Sequence, residues 1–188
     1  TFIIFKRIYF YVSNFIILME ILEVVTKNLM EFKYPKSYSR KNVLQDGDRC
    51  YEGFVLGKIC SWAHKNVKET GVLITDSKKT SDPRFAELYK LAQDLALHKN
   101  EDFNYTTIQF NKNYQCKKHI DGKNIGESCI IGVGDYEGGD LLVYFNGENE
   151  EPTKIDIKNK FFRFNGSKYY HETAPFSGQR HTLVYFSR

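Results

Sequence analysis

Apolar residues recur at helical spacing between Ile16 and Met30, at Ile17, Ile21, Val24, Val25 and Leu29, which predicts a supporting helix. Ahead of it, Phe2-Ile3-Ile4-Phe5 and Tyr9 to Leu18 are apolar, split by Lys6 and Arg7. The longer run is too short to span a bilayer, so no membrane association is expected. A signal peptide is the alternative, but no small-residue cleavage pattern follows. The first residues are instead expected to precede a start at Met19 or Met30, leaving 1–30 as an extension or supporting helix and 31–188 as one domain. Glu31 to Gly53 is polar and turn-rich, with Pro35 and Gly47, and reads as loop. Phe54 to His64 mixes aliphatics with Trp62, and Val72 to Thr75 reads as a short strand. Thr80-Ser81-Asp82-Pro83 is a helix start, with a capping side chain before a proline whose missing N–H does no harm. That helix runs to about His98 and buries Phe85, Leu88, Ala92 and Leu95, with Tyr89 and Leu91 beside them. Ala92 and Ala96 are small enough for a neighbouring element to come close.

After Asn100 the period changes. Tyr105–Phe110, Ser128–Val133, Leu141–Phe145, Lys154–Ile157, Phe161–Phe164 and Arg180–Phe186 are rich in β-branched and aromatic residues and separated by Gly, Asn and Asp turns. Short strands at that density predict an antiparallel sandwich or jelly roll. The fold class expected is α+β: a jelly roll in the C-terminal half, with supporting N-terminal helices. No repeat, low-complexity linker or second domain is visible.

Composition narrows the class only a little. With 41% hydrophobic and 15% aromatic residues the chain is globular rather than disordered. A net charge of +4 permits an anionic partner without demanding one. Cys50, Cys60, Cys116 and Cys129 form no CxxC pair and read as reduced thiols of an intracellular, unsecreted protein. Cys116 lies shortly before His119, like half a zinc site, but no second half exists. Asn104-Tyr-Thr and Asn165-Gly-Ser match the glycosylation pattern, which goes unused without secretion.

The chemistry gathers around His119-Ile120-Asp121, read together with His171 and Arg180. Two imidazoles and one carboxylate can hold one face of an octahedral Fe(II) and leave three positions open. On a strand end, the i, i+2 spacing of His119 and Asp121 points both side chains to one face. His171 is expected from a later strand of the facing sheet, after the turn Asn165-Gly166-Ser167. Arg180 is expected to open the last strand and grip a carboxylate with two charge-assisted hydrogen bonds. Thr182, two residues on, points to the same side and can add a hydroxyl. An HxD pair alone is weak, since such tripeptides occur by chance. The competing account is a surface His-Asp pair and an unrelated core histidine.

These segments, with Gly138-Gly139-Asp140-Leu141 and His171-Glu-Thr-Ala-Pro175-Phe-Ser-Gly178-Gln-Arg180, resemble the Fe(II)/2-oxoglutarate dioxygenase superfamily over roughly Tyr105 to Arg188. Within it the chain is most similar to the TET/JBP group, which oxidises methyl groups on DNA bases. That group follows HxD with an asparagine, and here Asn124 follows Asp121; the ending Arg180-His-Thr182-Leu-Val-Tyr-Phe is also similar. The resemblance implies a double-stranded β-helix. It implies iron held by His119, Asp121 and His171, which are then the catalytic centre. It implies 2-oxoglutarate held by Arg180 and Thr182, with Asn124 on cosubstrate or substrate. Fe(II), 2-oxoglutarate and O2 are the implied cofactors, with ascorbate as a stimulant. The implied reaction hydroxylates a substrate carbon and releases succinate and CO2; the cofactor carries the hard chemistry and the protein positions the target. Activity should fall at acid pH, as the histidine ligands protonate. Collagen-type prolyl hydroxylases usually have lysine where Arg180 stands, lysyl hydroxylase-like proteins share the Pro-Gly-Arg spacing, and AlkB-type enzymes carry a second arginine where this chain has Phe186.

Lys112, Lys117, Lys118 and Lys123 surround the HxD motif and either meet phosphates beside a flipped base or form a solvated hairpin. Asn113 and Tyr114 are placed at the mouth, Tyr114 equally as a packing residue. Gly138-Gly139 reads as a tight turn into a strand, not as a phosphate loop. His64, His98 and His181 have no assigned partner. The favoured substrate is a nucleic-acid base, 5-methylcytosine or thymine. A protein side chain of lysyl or prolyl type is the alternative within the same chemistry. An inactive jelly-roll binding module is the alternative outside it. A monomer is expected.

Overall fold

In a computed structural model, describing residues 2–61, 73–99 and 103–188 and the side chains of 16–60, 74–98 and 103–188, two helices lie against one face of a large sheet. Helix α1 (Phe2–Glu31) buries Leu22, Val25 and Leu29, with Leu18 and Ile21 packed beside them. This corrects the expected stripe: Ile17 and Val24 are 41% and 46% exposed, because the buried face lies about one position round the helix. Among the described residues, no helix is long and apolar enough to cross a membrane. Helix α2 (Pro83–Lys99) starts as its sequence dictates: the Arg84 amide donates to Asp82 Oδ1 at 3.0 Å, and Pro83 takes the first turn. Phe85, Leu88, Ala92, Leu95 and Ala96 are buried as expected.

The strands are β1 (Lys36–Ser37), β2 (Tyr51–Ser61), β3 (Leu73–Asp76), β4 (Thr107–Lys112), β5 (Ile125–Val133), β6 (Tyr136–Gly138), β7 (Leu141–Tyr144), β8 (Thr153–Ile155), β9 (Phe162–Phe164), β10 (Tyr170–Thr173), β11 (Phe176–Gly178) and β12 (His181–Ser187). The large sheet runs β1-β2-β4-β12-β5-β9, with β3 on β2; a second sheet runs β10-β7-β8; β11 and β6 form a two-stranded ribbon. All six expected strands are present, with ends shifted by a few residues. Strand β2 corrects the loop expected to run to Gly53: Tyr51 and Gly53 already pair, with Ser37 and Asn111. Its glycines weaken the local signal, but a side chain at Gly53 would meet the Phe110 carbonyl at 2.8 Å, so glycine permits the pairing. Trp62, His64 and Val72 lie outside the described residues.

The large sheet has two different faces. Phe54 and Leu56, Ile108 and Phe110, Cys129, Ile131 and Val133, and Leu183 and Tyr185 pack on the helices. Ala92 is where the sheet comes closest, its carbonyl accepting from the Tyr185 hydroxyl at 2.9 Å. The opposite face carries Ile130 and Phe164, which meet Leu141 and Val143 of the second sheet and Ile157 beyond it. Between the two sheets the same face turns polar, at Gln109, Asn111 and Thr182.

His181 sits on the helix-side face, fully buried, with Nδ1 3.1 Å from the Tyr34 hydroxyl. Among the described residues its Nε2 has no hydrogen-bond partner. Burial, with Lys112 nearby, pushes its pKa down from 6.5 to about 4. The folded state therefore resists a proton that the unfolded state accepts. Stability is expected to fall by roughly 3 kcal/mol as pH drops from about 6.5 to about 4. Denaturant melts across that window should show the loss, and His181→Gln should remove most of it.

Candidate metal centre

An isolated antiparallel bridge joins His119 to His171. The His119 amide donates to the His171 carbonyl at 3.0 Å, and the His171 amide returns the bond at 2.9 Å. This places the two rings side by side, 4.3 Å between centroids. The Asp121 amide donates to the Gly166 carbonyl at 2.9 Å, which brings the carboxylate to the same side. Asp121 Oδ1 lies 3.6 Å from His119 Nε2, and Oδ2 lies 3.7 Å from His171 Nε2. The three ligand-type atoms all fall within 4.8 Å of one another.

Both imidazoles are held in the tautomer that ligation needs. His119 Nδ1 faces the Lys117 carbonyl at 2.7 Å and His171 Nδ1 faces the Tyr169 carbonyl at 3.0 Å. Each Nδ1 must donate, which leaves each Nε2, on the side of Asp121, as the nitrogen available to a metal. Burial works to raise the Asp121 pKa, but the facing histidines and the charge of Arg40 outweigh it and hold the carboxyl well below its usual range. Burial opposes charge on His119, yet Asp121 and Cys116 draw its pKa up to about 9. Against that, Arg40 Nη2 stands 3.0 Å from His119 Nε2 and 2.8 Å from Asp121 Oδ1. With that donor in place the ring is a neutral acceptor. The donor set asks for a cation, and two imidazoles with one carboxylate fit a divalent transition metal.

The adjoining cavity, about 60 Å³, is lined by Arg180, Thr182, Gln109, Asn111, Thr173 and Cys116 among others. Arg180 is buried, its guanidinium 5.6 Å from the Tyr136 ring centre and 5.4 Å from that of Phe176. One terminal nitrogen donates to the Gly139 carbonyl at 2.9 Å. Among the described residues its Nε has no partner, and burial pulls its pKa down. A buried guanidinium with a spare donor fits a carboxylate ligand. Gln109 Nε2 donates to Asn111 Oδ1 at 2.9 Å, and Asn111 Nδ2 donates to Thr182 Oγ1 at 3.0 Å. The Thr182 hydroxyl is an acceptor in that chain, so its own proton is free to meet the same anion. Gly139, at φ +71°, does more than turn the chain: an added Cβ would meet Arg180 Nε at 2.7 Å. Gly139→Ala is expected to displace Arg180 and weaken binding of a dicarboxylate about tenfold, or roughly 1.4 kcal/mol, measurable by calorimetry.

His119, Asp121, His171, Arg180 and Thr182 thus all line one cavity. Asn124 also lines the cavity, with Nδ2 3.4 Å from Asp121 Oδ2, where it steadies the carboxylate. Asn113 does not line the cavity. At φ 47° its side chain accepts from the Arg180 amide at 2.8 Å, tying β4 to the residue before β12. Lys117 pairs with Asp46, and Lys118 lies 4.3 Å from the Tyr144 ring centre and donates to the Glu148 carbonyl at 2.9 Å. Lys123 is exposed in the turn after Asp121. Cys116 Sγ is 3.2 Å from Thr173 Oγ1 and stands outside the ligand triad. Arg40 had no signal in the sequence. Gln109 and Asn111 did: Thr107, Gln109 and Asn111 alternate with Ile108 and Phe110, so one strand face is polar although buried.

No protein-family model matches the chain, and no curated protein matches it in sequence. Solved structures do match in three dimensions. A 2OG-Fe(II) oxygenase family oxidoreductase from Burkholderia pseudomallei aligns over 89% of this chain and 77% of its own, with TM-score 0.51 and 12% identity. NgTET1, solved in complex with 5mC DNA, aligns over 90% and 68%, with TM-score 0.57 and 17% identity. This chain has the fold of the 2OG-Fe(II) oxygenases. A prolyl hydroxylase from Trichoplax adhaerens, in complex with a hypoxia inducible factor peptide fragment, aligns over 90% and 77%, with TM-score 0.51 and 16% identity. The shared architecture thus spans proteins solved with DNA and with peptide.

Proposed function

We propose that the protein is an Fe(II)- and 2-oxoglutarate-dependent dioxygenase that hydroxylates a methyl group on a nucleic-acid base. The observation that carries the reading is the pairing of a preset triad with a buried, under-partnered arginine. His119, Asp121 and His171 hold the iron, which supplies the oxidising chemistry when bound. Arg180 and Thr182 hold the distal carboxylate of 2-oxoglutarate and fix its orientation. The buried, mostly apolar walls at Ile130, Leu141 and Phe164 limit water near the reacting centre. The strand order supports a double-stranded β-helix. From β4 onward the chain passes from the large sheet to His119 beside β10, back to β5, across to β7 and β8, back to β9, across to β10 and finally to β12.

The base-directed reading draws on the similarity to NgTET1 in complex with 5mC DNA, on Asn124 after the HxD pair, and on Lys118 and Lys123 near the triad. The peptide-bound prolyl hydroxylase neighbour makes a protein side chain the competing substrate. The test is a panel of DNA containing 5-methylcytosine, DNA containing thymine alone, RNA, and collagen-like and histone peptides. Each is incubated with Fe(II), 2-oxoglutarate and the enzyme, then examined by mass spectrometry. An added oxygen on a DNA or RNA base supports the reading. Oxygen added to a peptide alone keeps the oxygenase and overturns its substrate.

A further inference from the structure

The triad already has a cation in it. Arg40 reaches His119 and Asp121 from the segment between β1 and β2. That segment is anchored beside the site. The Lys117 amide donates to the Val43 carbonyl at 2.9 Å, Gln45 Nε2 donates to the Gln115 carbonyl at 3.2 Å, and Tyr51 stacks on Tyr114 with centroids 4.6 Å apart. We propose that Arg40 is a displaceable internal cation which competes with the metal for His119 and must withdraw before the metal can load. The proposal rests on the metal reading of the triad.

Three observations carry it. The first is a count of lone pairs. His119 Nδ1 donates to Lys117, so Nε2 is the ring's single acceptor, and Arg40 Nη2 uses it at 3.0 Å. A metal bound to that nitrogen at about 2 Å needs the same lone pair. Asp121 has lone pairs enough for two cations; His119 does not. The second is room. With Arg40 in place the cavity measures about 60 Å³, well short of the ~150 Å³ that accepts a benzene ring. Arg40 is one wall of that cavity, so its withdrawal enlarges the site. The third is backbone strain. Arg40 sits at φ 59°, in the left-handed region. The other non-glycine residues there, among those described, are Asn113 and Asn159, a type that tolerates it. Arg40 takes it where the chain enters a short turn, its carbonyl accepting from the Val43 amide at 3.0 Å, and such outliers cluster at functional sites. Withdrawal is open to it, since the side chain is 29% exposed.

The consequence is that the wild-type protein binds metal more weakly than its ligands allow, because only the fraction with Arg40 withdrawn is competent. The experiment is calorimetry with Mn(II), a redox-stable stand-in for Fe(II), on the wild type, Arg40→Gly and Arg40→Ala. Arg40→Gly also relieves the backbone, so one variant survives if the other folds poorly. Both are expected to bind Mn(II) about tenfold more tightly than the wild type, corresponding to a competent fraction near a tenth. Methylguanidinium at millimolar concentration should weaken Mn(II) binding to Arg40→Gly and leave the wild type unchanged. Equal or weaker binding in the variants overturns the proposal and leaves the metal reading intact. No Mn(II) binding by any of the three proteins overturns both.

Discussion

Asp121→Ala is expected to reduce metal affinity by at least about 100-fold and to abolish turnover. The magnitude follows from position. Mutating a group behind a ligand costs about 10- to 100-fold in affinity, and Asp121 is itself the proposed ligand and the one anion of the triad. Its carboxylate stands between His119 and His171, with one oxygen 3.6 Å from the first ring and the other 3.7 Å from the second. Without it, two neutral imidazoles remain, and Arg40 loses its ion partner at 2.8 Å. Asp121→Asn keeps the shape and loses the charge, so it should resemble the alanine variant in metal binding while folding better. Calorimetry with Mn(II), beside thermal melts of the same samples, separates lost ligation from lost structure. Near-native metal affinity in a folded Asp121→Ala protein would remove Asp121 from the ligand set.

Arg180→Ala should carry the second largest effect, a rise of about 100-fold in the dissociation constant for 2-oxoglutarate, or roughly 3 kcal/mol. Arg180 is buried between Tyr136 and Phe176, and its Nε has no partner among the described residues. A carboxylate meeting that group in a site shielded from water forms charge-assisted bonds with little screening. Arg180→Lys keeps the charge but loses the two-pronged geometry, so an intermediate loss is expected. Metal affinity should change little in either variant, because among the described residues the Arg180 side chain meets Gly139, Tyr136 and Phe176 rather than the triad. Binding of 2-oxoglutarate to the Mn(II)-loaded proteins measures both effects.

Much of this site was legible in the chain because its parts are local. His119 and Asp121 lie two residues apart beside β10, and Thr182 of β12 follows two residues after Arg180. Helix α2 was legible down to its cap, since Asp82, Pro83 and the apolar stripe act within a few turns. What stayed hidden depends on distant partners. Strand β2 is interrupted by Gly53 and Gly57 and exists through its pairing with β4. The period alone does not separate Val25 and Leu29, which are buried, from Ile17 and Val24, which are not, because apolar residues lie on several sides of α1 and packing selects among them. Arg40 lies in a polar, turn-like segment and gains its role by crossing to residues far along the chain. Asn113 holds the Arg180 backbone rather than lining the mouth, a contact between strand ends that no local pattern encodes.

The most direct test of the central claim is succinate formation from 2-oxoglutarate by the purified protein with Fe(II) and oxygen, compared with Asp121→Ala under the same conditions. The account expects succinate from the wild type, dependent on added Fe(II), increased by the oxidised substrate, and absent from the variant. A folded wild-type protein that binds Fe(II) and 2-oxoglutarate yet forms no succinate with any nucleic acid or peptide would contradict it, and the chain would then be a binding module built on an oxygenase fold.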